Sequence, residues 1–430
     1  MDDLLQLQQP LKQGGIRAVN FFNGRLLAGR DLSREQAARR EADARLGLAL
    51  GDGVAFGFEV DEDSSQSLPA SPVLRVRAGL AVNRLGQTLR LSDDVQLALT
   101  RRFDAAGADC VFADCVPLSG GTYVAGAGIY LLTVAPAEAS EGRVPTNGLD
   151  PGNVRCNTDA TVEAVQFRLL AVKATHYGDL DPAAKQFRNR LAYRCLGIEA
   201  REASLADPWR EDPESYGLVD ALRQEGLDDR DVPLALVFWS AGGVQFIDMW
   251  AVRRALIAPD ALSAGAFVAR QRRLVETHAM CAQFQAQLAD LLAASVQPLT
   301  LIGGDYFRYL PPFGMLPLQS LPLRGFLEDS FFSGLIRRPA PGSDQQTEFV
   351  DARLLGTLRQ QALEYAPTDI TAKEFIWVFR PWQNVEAVLD GVSVQPTLVF
   401  ASGQMPNPAI ARFDMARLDF SNFASCCGSA

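Results

Sequence analysis

The stretch Ser33-Arg34-Glu35-Gln36-Ala37-Ala38-Arg39-Arg40-Glu41-Ala42-Asp43-Ala44-Arg45-Leu46-Gly47-Leu48-Ala49-Leu50-Gly51-Asp52-Gly53-Val54-Ala55-Phe56-Gly57-Phe58-Glu59-Val60 decides the fold class, because its periodicity changes partway along. Up to Leu50, Arg and Glu recur between Ala and Leu, the pattern of an amphipathic helix whose opposite charges meet three and four residues apart. Ser33 with Gln36 fits a capping box that would open this helix at 33. Gly51 and Gly53 end it. From Val54 to Val60 the residues read as a strand. Helix and strand side by side in one short stretch predict an α+β chain.

Outward from this junction, residues 1–20 read as an extended arm. Residues 73–77 alternate apolar and charged side chains, so one strand face is buried and one is wet. Residues 80–82 and 88–91 flank Asn83-Arg84-Leu85-Gly86, a turn in which Gly86 supplies a left-handed conformation. Residues 122–134 and 161–173 are apolar enough for buried strands, and the first half is predicted to be a β-sandwich. Helices are expected over 182–195 and 215–224, and a hairpin over 232–240 and 244–250 across Ala241-Gly242-Gly243. Residues 259–294 hold the longest helical pattern, about ten turns; such helices line a multi-chain axis or a domain seam. Residues 306–317, rich in aromatics and prolines, predict a rigid packed loop that neither continues a helix nor sits inside a sheet. A helix over 349–366 and strands over 374–380 and 396–401 complete the chain. The expected units are an arm and helix (1–50), a β-rich sandwich domain (51–175), a mixed domain with the long helix (176–300) and a C-terminal α+β domain (301–430).

The chain has 430 residues, 48% hydrophobic and 21% charged, an ordinary globular composition long enough for two or three cores. A net charge of -10 repels phosphate backbones, so nucleic acid is not an expected partner. No run reaches the roughly eighteen apolar residues of a membrane span, and the acidic start lacks the basic and apolar regions of a secretory signal. The protein is expected to be made in the cytoplasm and to leave, if at all, within a larger particle. Its seven cysteines are scattered and odd in number, which predicts reduced thiols.

The search for chemistry yields little. Two histidines, His176 and His278, limit acid–base chemistry near neutral pH. His278 and Cys281 have metal-ligand spacing on the long helix but lack further ligands, so a packed pair is the simpler reading. Cys110, Cys115 and Cys156 leave a partial metal knuckle, plain thiols or a local disulfide open. Gly126-Ala127-Gly128 lacks the third glycine of a dinucleotide fingerprint, and Ile302-Gly303-Gly304-Asp305 lacks the Lys-Ser/Thr of a phosphate loop. Asp93-Asp94 and Asp228-Asp229 read as solvated turn acids. Phe238-Trp239, the run Phe375-Ile376-Trp377-Val378-Phe379 and Trp382 read as core, or as a sugar platform if they face solvent. No enzyme activity, cofactor or catalytic residue is expected.

One stretch is informative about function: Asn20-Phe21-Phe22-Asn23-Gly24-Arg25-Leu26-Leu27-Ala28-Gly29-Arg30-Asp31-Leu32-Ser33-Arg34-Glu35-Gln36. It resembles an N-terminal motif of proteins encoded with extracellular contractile injection systems and related phage tails: Tyr-Phe-Asn-Gly, an apolar pair, a short spacer, Asp, an apolar residue and Glu-Gln before a helix. Phe21 stands where that motif has Tyr. Gly53 to Val60, Ala78 to Gln87, and Phe307 to Pro317 resemble further stretches of the same proteins. The layout also resembles, more weakly, the shell domain of the trimeric type VI secretion baseplate protein.

The resemblance implies a structural subunit, baseplate-peripheral or fibre-type, that is a homo-oligomer, a trimer by analogy, and that docks on other baseplate or tail subunits. The residues it points to as an assembly interface are Phe21, Phe22, Asn23, Gly24, Leu26, Leu27, Asp31 and Gln36. Their chemistry fits, since Asn23-Gly24 makes a tight turn that aims two large apolar side chains, and buried aromatics dominate binding energy. A receptor- or carbohydrate-binding module at a particle tip is the alternative.

Overall fold

The computed structural model describes residues 12–101, 123–124, 126–146, 155–198, 217–256, 270–294, 301–317, 328–339, 346–382 and 397–406. Helix α1 (Gly29–Leu50) begins four residues before Ser33. Asp31, in its first turn, accepts the Ala28 N–H at 3.1 Å, which satisfies a donor that the helix start leaves unpaired. The predicted capping box of Ser33 and Gln36 is therefore incorrect: both residues lie inside the helix and are exposed. Gly51 ends α1, its N–H reaching the Gly47 carbonyl at 3.0 Å.

The single strand expected over 54–60 is two, β1 (Gly53–Gly57) and β2 (Val60–Glu62). They part where Gly57 and Phe58 both take positive φ, 67° and 56°. Phe58 is fully buried, and Arg253 donates to the Gly57 carbonyl at 2.6 Å, so tertiary contacts hold a backbone that Phe58 would not adopt alone. The chain thereby alternates between two small antiparallel sheets. Strands β3 (Val73–Val76), β4 (Gly79–Val82), β5 (Thr88–Leu91) and β6 (Val95–Ala98) complete them, in the orders β1-β4-β5 and β2-β3-β6. Strands β7 (Thr100–Arg101) and β8 (Tyr123–Val124) form a separate pair.

Strands β9 (Gly128–Thr146) and β10 (Arg155–Ala171) pair from Tyr130↔Ala171 out to Thr146↔Arg155. After α2 (Ala174–Tyr177), α3 (Phe187–Cys195) and α4 (Leu218–Arg223), strands β11 (Val232–Ser240) and β12 (Gly243–Asp248) complete a sheet in the order β10-β9-β11-β12. One apolar cluster joins the small sheets to this one through Phe58, Leu74, Leu89, Leu132, Val134 and Val237. A second packs Leu131 and Leu236 against Leu191 and Tyr193 of α3 and Leu222 of α4. Strand β11 pairs with β9 only as far as Val134, so beyond it β9 and β10 run on as a two-stranded ribbon.

The long helix is α5 (Arg270–Ala293); residues 259–269 of the expected helix lie outside the described residues. It occupies a seam between this chain's own clusters. Met280 joins the cluster of α3, Phe284 and Leu288 join Phe307, Phe331 and Phe400, and Cys281 joins Trp377 and Phe379. Among the residues of α5 whose burial is described, His278, Gln285, Ala289, Asp290 and Ala293 are exposed.

After α6 (Gly303–Tyr306), the aromatic and proline-rich segment differs from the predicted loop. It contains β13 (Tyr309–Leu310) and β14 (Phe313–Pro317), with Pro311 and Pro312 between them. The exclusion from a sheet fails because β14 is an edge strand, where a proline costs no ladder bond on its open side. Helix α7 (Glu328–Phe331), β15 (Ile336–Arg337), β16 (Glu348–Asp351), α8 (Leu355–Ala362), β17 (Thr368–Asp369), β18 (Phe375–Trp382) and β19 (Thr397–Ser402) follow. The last sheet has the order β14-β19-β18-β15, with β16 also on β18. Residues 349–351, expected as the start of a helix, belong to the strand β16, and the helical turns begin after it.

Buried polar groups tie α3, β12, α5 and β13 together. Asp248, 1% exposed, accepts Arg188 Nε at 2.9 Å and Gln283 Nε2 at 3.0 Å. Asn189, fully buried, accepts the Arg308 and Tyr309 N–H groups at 3.0 and 2.9 Å and donates to the Tyr309 carbonyl at 3.0 Å. One side chain thus pairs with β13 as a neighbouring strand would.

Candidate functional site

The arm folds back along α1. At its start Arg45 donates to the Gly14 carbonyl at 2.6 Å. In the middle the Val19 N–H donates to Glu35 at 2.9 Å, and Val19, 8% exposed, is among the arm's most covered residues. At the far end Arg25 donates to the Asn20 carbonyl at 2.8 Å and to Asp31 at 2.7 Å. The turn between the two limbs is Phe22-Asn23-Gly24-Arg25, closed by Arg25 N–H to the Phe22 carbonyl at 3.2 Å, with Gly24 at φ 89°. That value is the one a glycine at the third turn position allows.

Asp31 holds the two limbs together and caps the helix at once. The Ala28 N–H and then the Arg25 guanidinium hold its carboxyl below the usual carboxylate range. The Arg25 guanidinium also lies 5.9 Å from the Phe22 ring centre, which orients that ring.

Around the turn, large apolar side chains meet water: Phe21 at 52% exposure, Phe22 at 63%, Leu26 at 93%, Leu27 at 55% and Leu32 at 53%. Full burial of such a side chain contributes roughly 1.5–3 kcal/mol, of which about half or more is still to be gained at each of these positions. The tip is polar in its pins and apolar in what it offers, and contiguous exposed apolar residues of this kind mark interaction sites. Gly47 and Gly86 anchor α1 so closely that a Cβ on Gly86 would lie 1.9 Å from the Ala44 carbonyl oxygen. Gly29 lies about 27 Å from Gly47 along the helix.

Of the residues singled out in the motif, Phe21, Phe22, Asn23, Gly24, Leu26, Leu27 and Asp31 therefore gather at one tip. Gln36 does not; it is exposed farther along α1. Val19, Arg25, Glu35 and Arg45 were missed. Their signal was a cation or carboxylate on each limb at offsets that only a folded-back arm brings together.

The other candidates fall apart or serve the fold. Cys281 is buried, which pushes its thiol up to about 12, whereas His278 is exposed on α5, edge-on to Trp250. Cys110 and Cys115 lie outside the described residues, and Cys156 is on β10. Among the described residues no group of three or more His, Cys, Asp and Glu could hold a metal ion. Asp94 accepts the Ala78 N–H, and Asp229 pairs with Arg223. Trp239, Trp377 and Phe379 are buried, at 5%, 5% and 0% exposure, and serve the core, while Phe375 of the same run is 46% exposed. Among the described residues no helix is long and apolar enough to cross a membrane.

No protein-family model matches the chain, and no curated protein does. Among solved structures it is similar to a crystal structure of TssK, with a TM-score of 0.24 and 10% identity over 65% of this chain and 50% of that one. It is also similar to a chain of the type VI secretion system TssK-TssF-TssG baseplate subcomplex seen by cryo-electron microscopy, with a TM-score of 0.25 and 14% identity over 65% of this chain and 73% of that one. The chain thus spans about half the length of the first. Both likenesses are weak, and the reading of the tip rests on its own residues.

Proposed function

We propose that this protein is a non-enzymatic structural subunit of a phage-tail-like contractile injection particle, placed at the baseplate periphery or in its fibre network. The observation that carries this reading is the tip itself. A motif that resembles those of contractile-system proteins forms a pinned hairpin whose large apolar side chains are half or more exposed among the described residues. A side chain held rigidly in water serves a partner, because the ordering cost is met before contact. In this reading the subunit is a homo-oligomer, a trimer by resemblance, and joins other baseplate or tail subunits from the cytoplasm.

The test is incorporation. Particles are sedimented from cells producing tagged protein, either wild type or the Phe21→Ala, Phe22→Ala double variant. Wild-type protein is expected to sediment with the particles. The variant should fold, by circular dichroism, yet be depleted from them. Wild-type protein that never accompanies particles would sink the reading.

A further inference from the structure

Helix α1 is covered on two opposite sides and open between them. The arm lies along one side, where Asp31 and Glu35 accept its hydrogen bonds and Ala38 is buried. The body lies along the other, where Arg40 reaches Glu138 at 3.2 Å and Ala44 and Gly47 back onto Gly86. At roughly 3.6 residues per turn these two sets fall about half a turn apart. Between them runs a stripe of Leu32, Gln36, Arg39, Asp43, Leu46 and Leu50, and all six are exposed. Each of the three leucines is more than half exposed.

The stripe has the spacing of a helix contact. Its members alternate four and three residues apart, the period that keeps one line of side chains facing a neighbouring helix. It runs about 27 Å along the axis. Leucines stand at both ends, and Arg39 and Asp43 in the middle. Neither Arg39 nor Asp43 has an ion-pair partner among the described residues, and Arg before Asp is the less favourable order for pairing within one helix. The order of residues also makes the stripe its own complement. Turned end for end about its midpoint, it sets Leu32 opposite Leu50, Gln36 opposite Leu46 and Arg39 opposite Asp43.

We infer that α1 pairs antiparallel with α1 of a second copy of this chain, through this stripe, about a two-fold axis that passes between Arg39 and Asp43. The charges select the occupant. A partner surface of one sign answers only one of the two groups, whereas a second copy turned end for end answers both, and does so twice. The contact is isologous, with the same patch on each copy, and so closes at two. The charges also select the direction. A parallel bundle, the three-fold one included, sets Arg39 against Arg39 and Asp43 against Asp43, and like charges so placed oppose association. A trimer of this chain is therefore held by other surfaces, and α1 joins copies two at a time. Phe21 and Phe22 lie off the stripe and stay available to another subunit. The inference adds a contact between copies to the assembly reading above and rests on that reading only for its setting.

The experiment uses the purified full chain, the single variants Arg39→Asp and Asp43→Arg, and the double variant that carries both, with fold checked by circular dichroism. All the changes are at exposed positions. Mass is measured by sedimentation velocity over a concentration series. Wild type is expected to associate pairwise, with a Kd on the order of micromolar because one helix pair is a small interface. Each single variant should weaken pairing about tenfold or more, since it sets like charges opposite each other at both central positions. The double variant should return to within about threefold of wild type, because exchanging the two charges restores both pairs. An equimolar mixture of the single variants should pair as well, each supplying the charges that the other lacks. Single variants that associate as wild type does overturn the inference, and so do a double variant or a mixture that stays unpaired. Wild type that remains single-copy throughout also overturns it. The assembly reading is then judged separately, by whether the protein still sediments with particles.

Discussion

Replacing Gly86 by alanine tests whether α1 is held to the body through a contact of two backbones. Gly86 has φ 77° and Gly24 has φ 89°, so an alanine at either site incurs similar backbone strain, about 1 kcal/mol. The surroundings differ. A Cβ on Gly24 would meet nothing within 4 Å, whereas one on Gly86 would lie 1.9 Å from the Ala44 oxygen and 2.8 Å from the Leu48 nitrogen. Neither neighbour is a movable side chain. The turn around Gly86 is itself fixed, because buried Asn83 accepts the Leu85 and Gln87 N–H groups at 3.1 and 2.9 Å. Overpacking of this kind adds about 1–3 kcal/mol, so Gly86→Ala should cost about 3 kcal/mol where Gly24→Ala costs about 1. The assay is native-state hydrogen exchange read by mass spectrometry. Amides of residues 40–50 should exchange about a hundredfold faster in Gly86→Ala, or lose protection altogether, and should be unchanged in Gly24→Ala. Equal exchange of 40–50 in the two variants would refute a backbone anchor at Gly47 and Gly86.

Asn189→Ala should orphan three backbone groups of the β13 segment and cost roughly 3–5 kcal/mol; a urea midpoint close to that of wild type would contradict its role as a surrogate strand. Ser65 and then Arg75 hold the Asp63 carboxyl down to about 2, from an ordinary value of 3.8. Because the folded value is the lower one, Asp63 contributes stability that is fully present above pH 3.8 and lost as pH falls towards 2. The stability gap between wild type and Asp63→Asn should therefore be constant near neutrality and shrink across that window; a gap that widens on acidification would reverse the sign. Burial pushes the Cys195 and Cys281 thiols up to about 12. Of seven cysteines, no more than the remaining five should then react with a thiol reagent in the native protein, and detection of labelled Cys195 or Cys281 under native conditions would contradict this.

Much of the local structure is legible in the chain. The helix that ends at Gly51, the turn at Gly86, the hairpin of β11 and β12 and the late strands β18 and β19 each rest on a pattern within a few residues: a periodicity, a glycine, an alternation. The apolar motif around Phe21 and Phe22 was legible for the same reason, since an Asn-Gly turn and a pair of large side chains need no distant partner to be recognised. The α+β class follows from these elements together.

The rest depends on residues far apart. The break between β1 and β2 requires Arg253, 196 positions away, to hold the Gly57 carbonyl. The start of α1 moves to Gly29 because Asp31 caps it while bound to Arg25, which the arm brings back. Proline 317 fits a sheet because β14 lies at its edge, and edge or centre is a property of the assembled sheet. The long helix lies between clusters because three sets of apolar residues, contributed by strands and helices across the chain, meet on its faces. Short-range periodicity sets what each segment can become, through the geometry of the backbone and which side of it is apolar. Which of those faces is covered, and which is left to water as the tip and the ribbon are, was decided only when the distant segments packed.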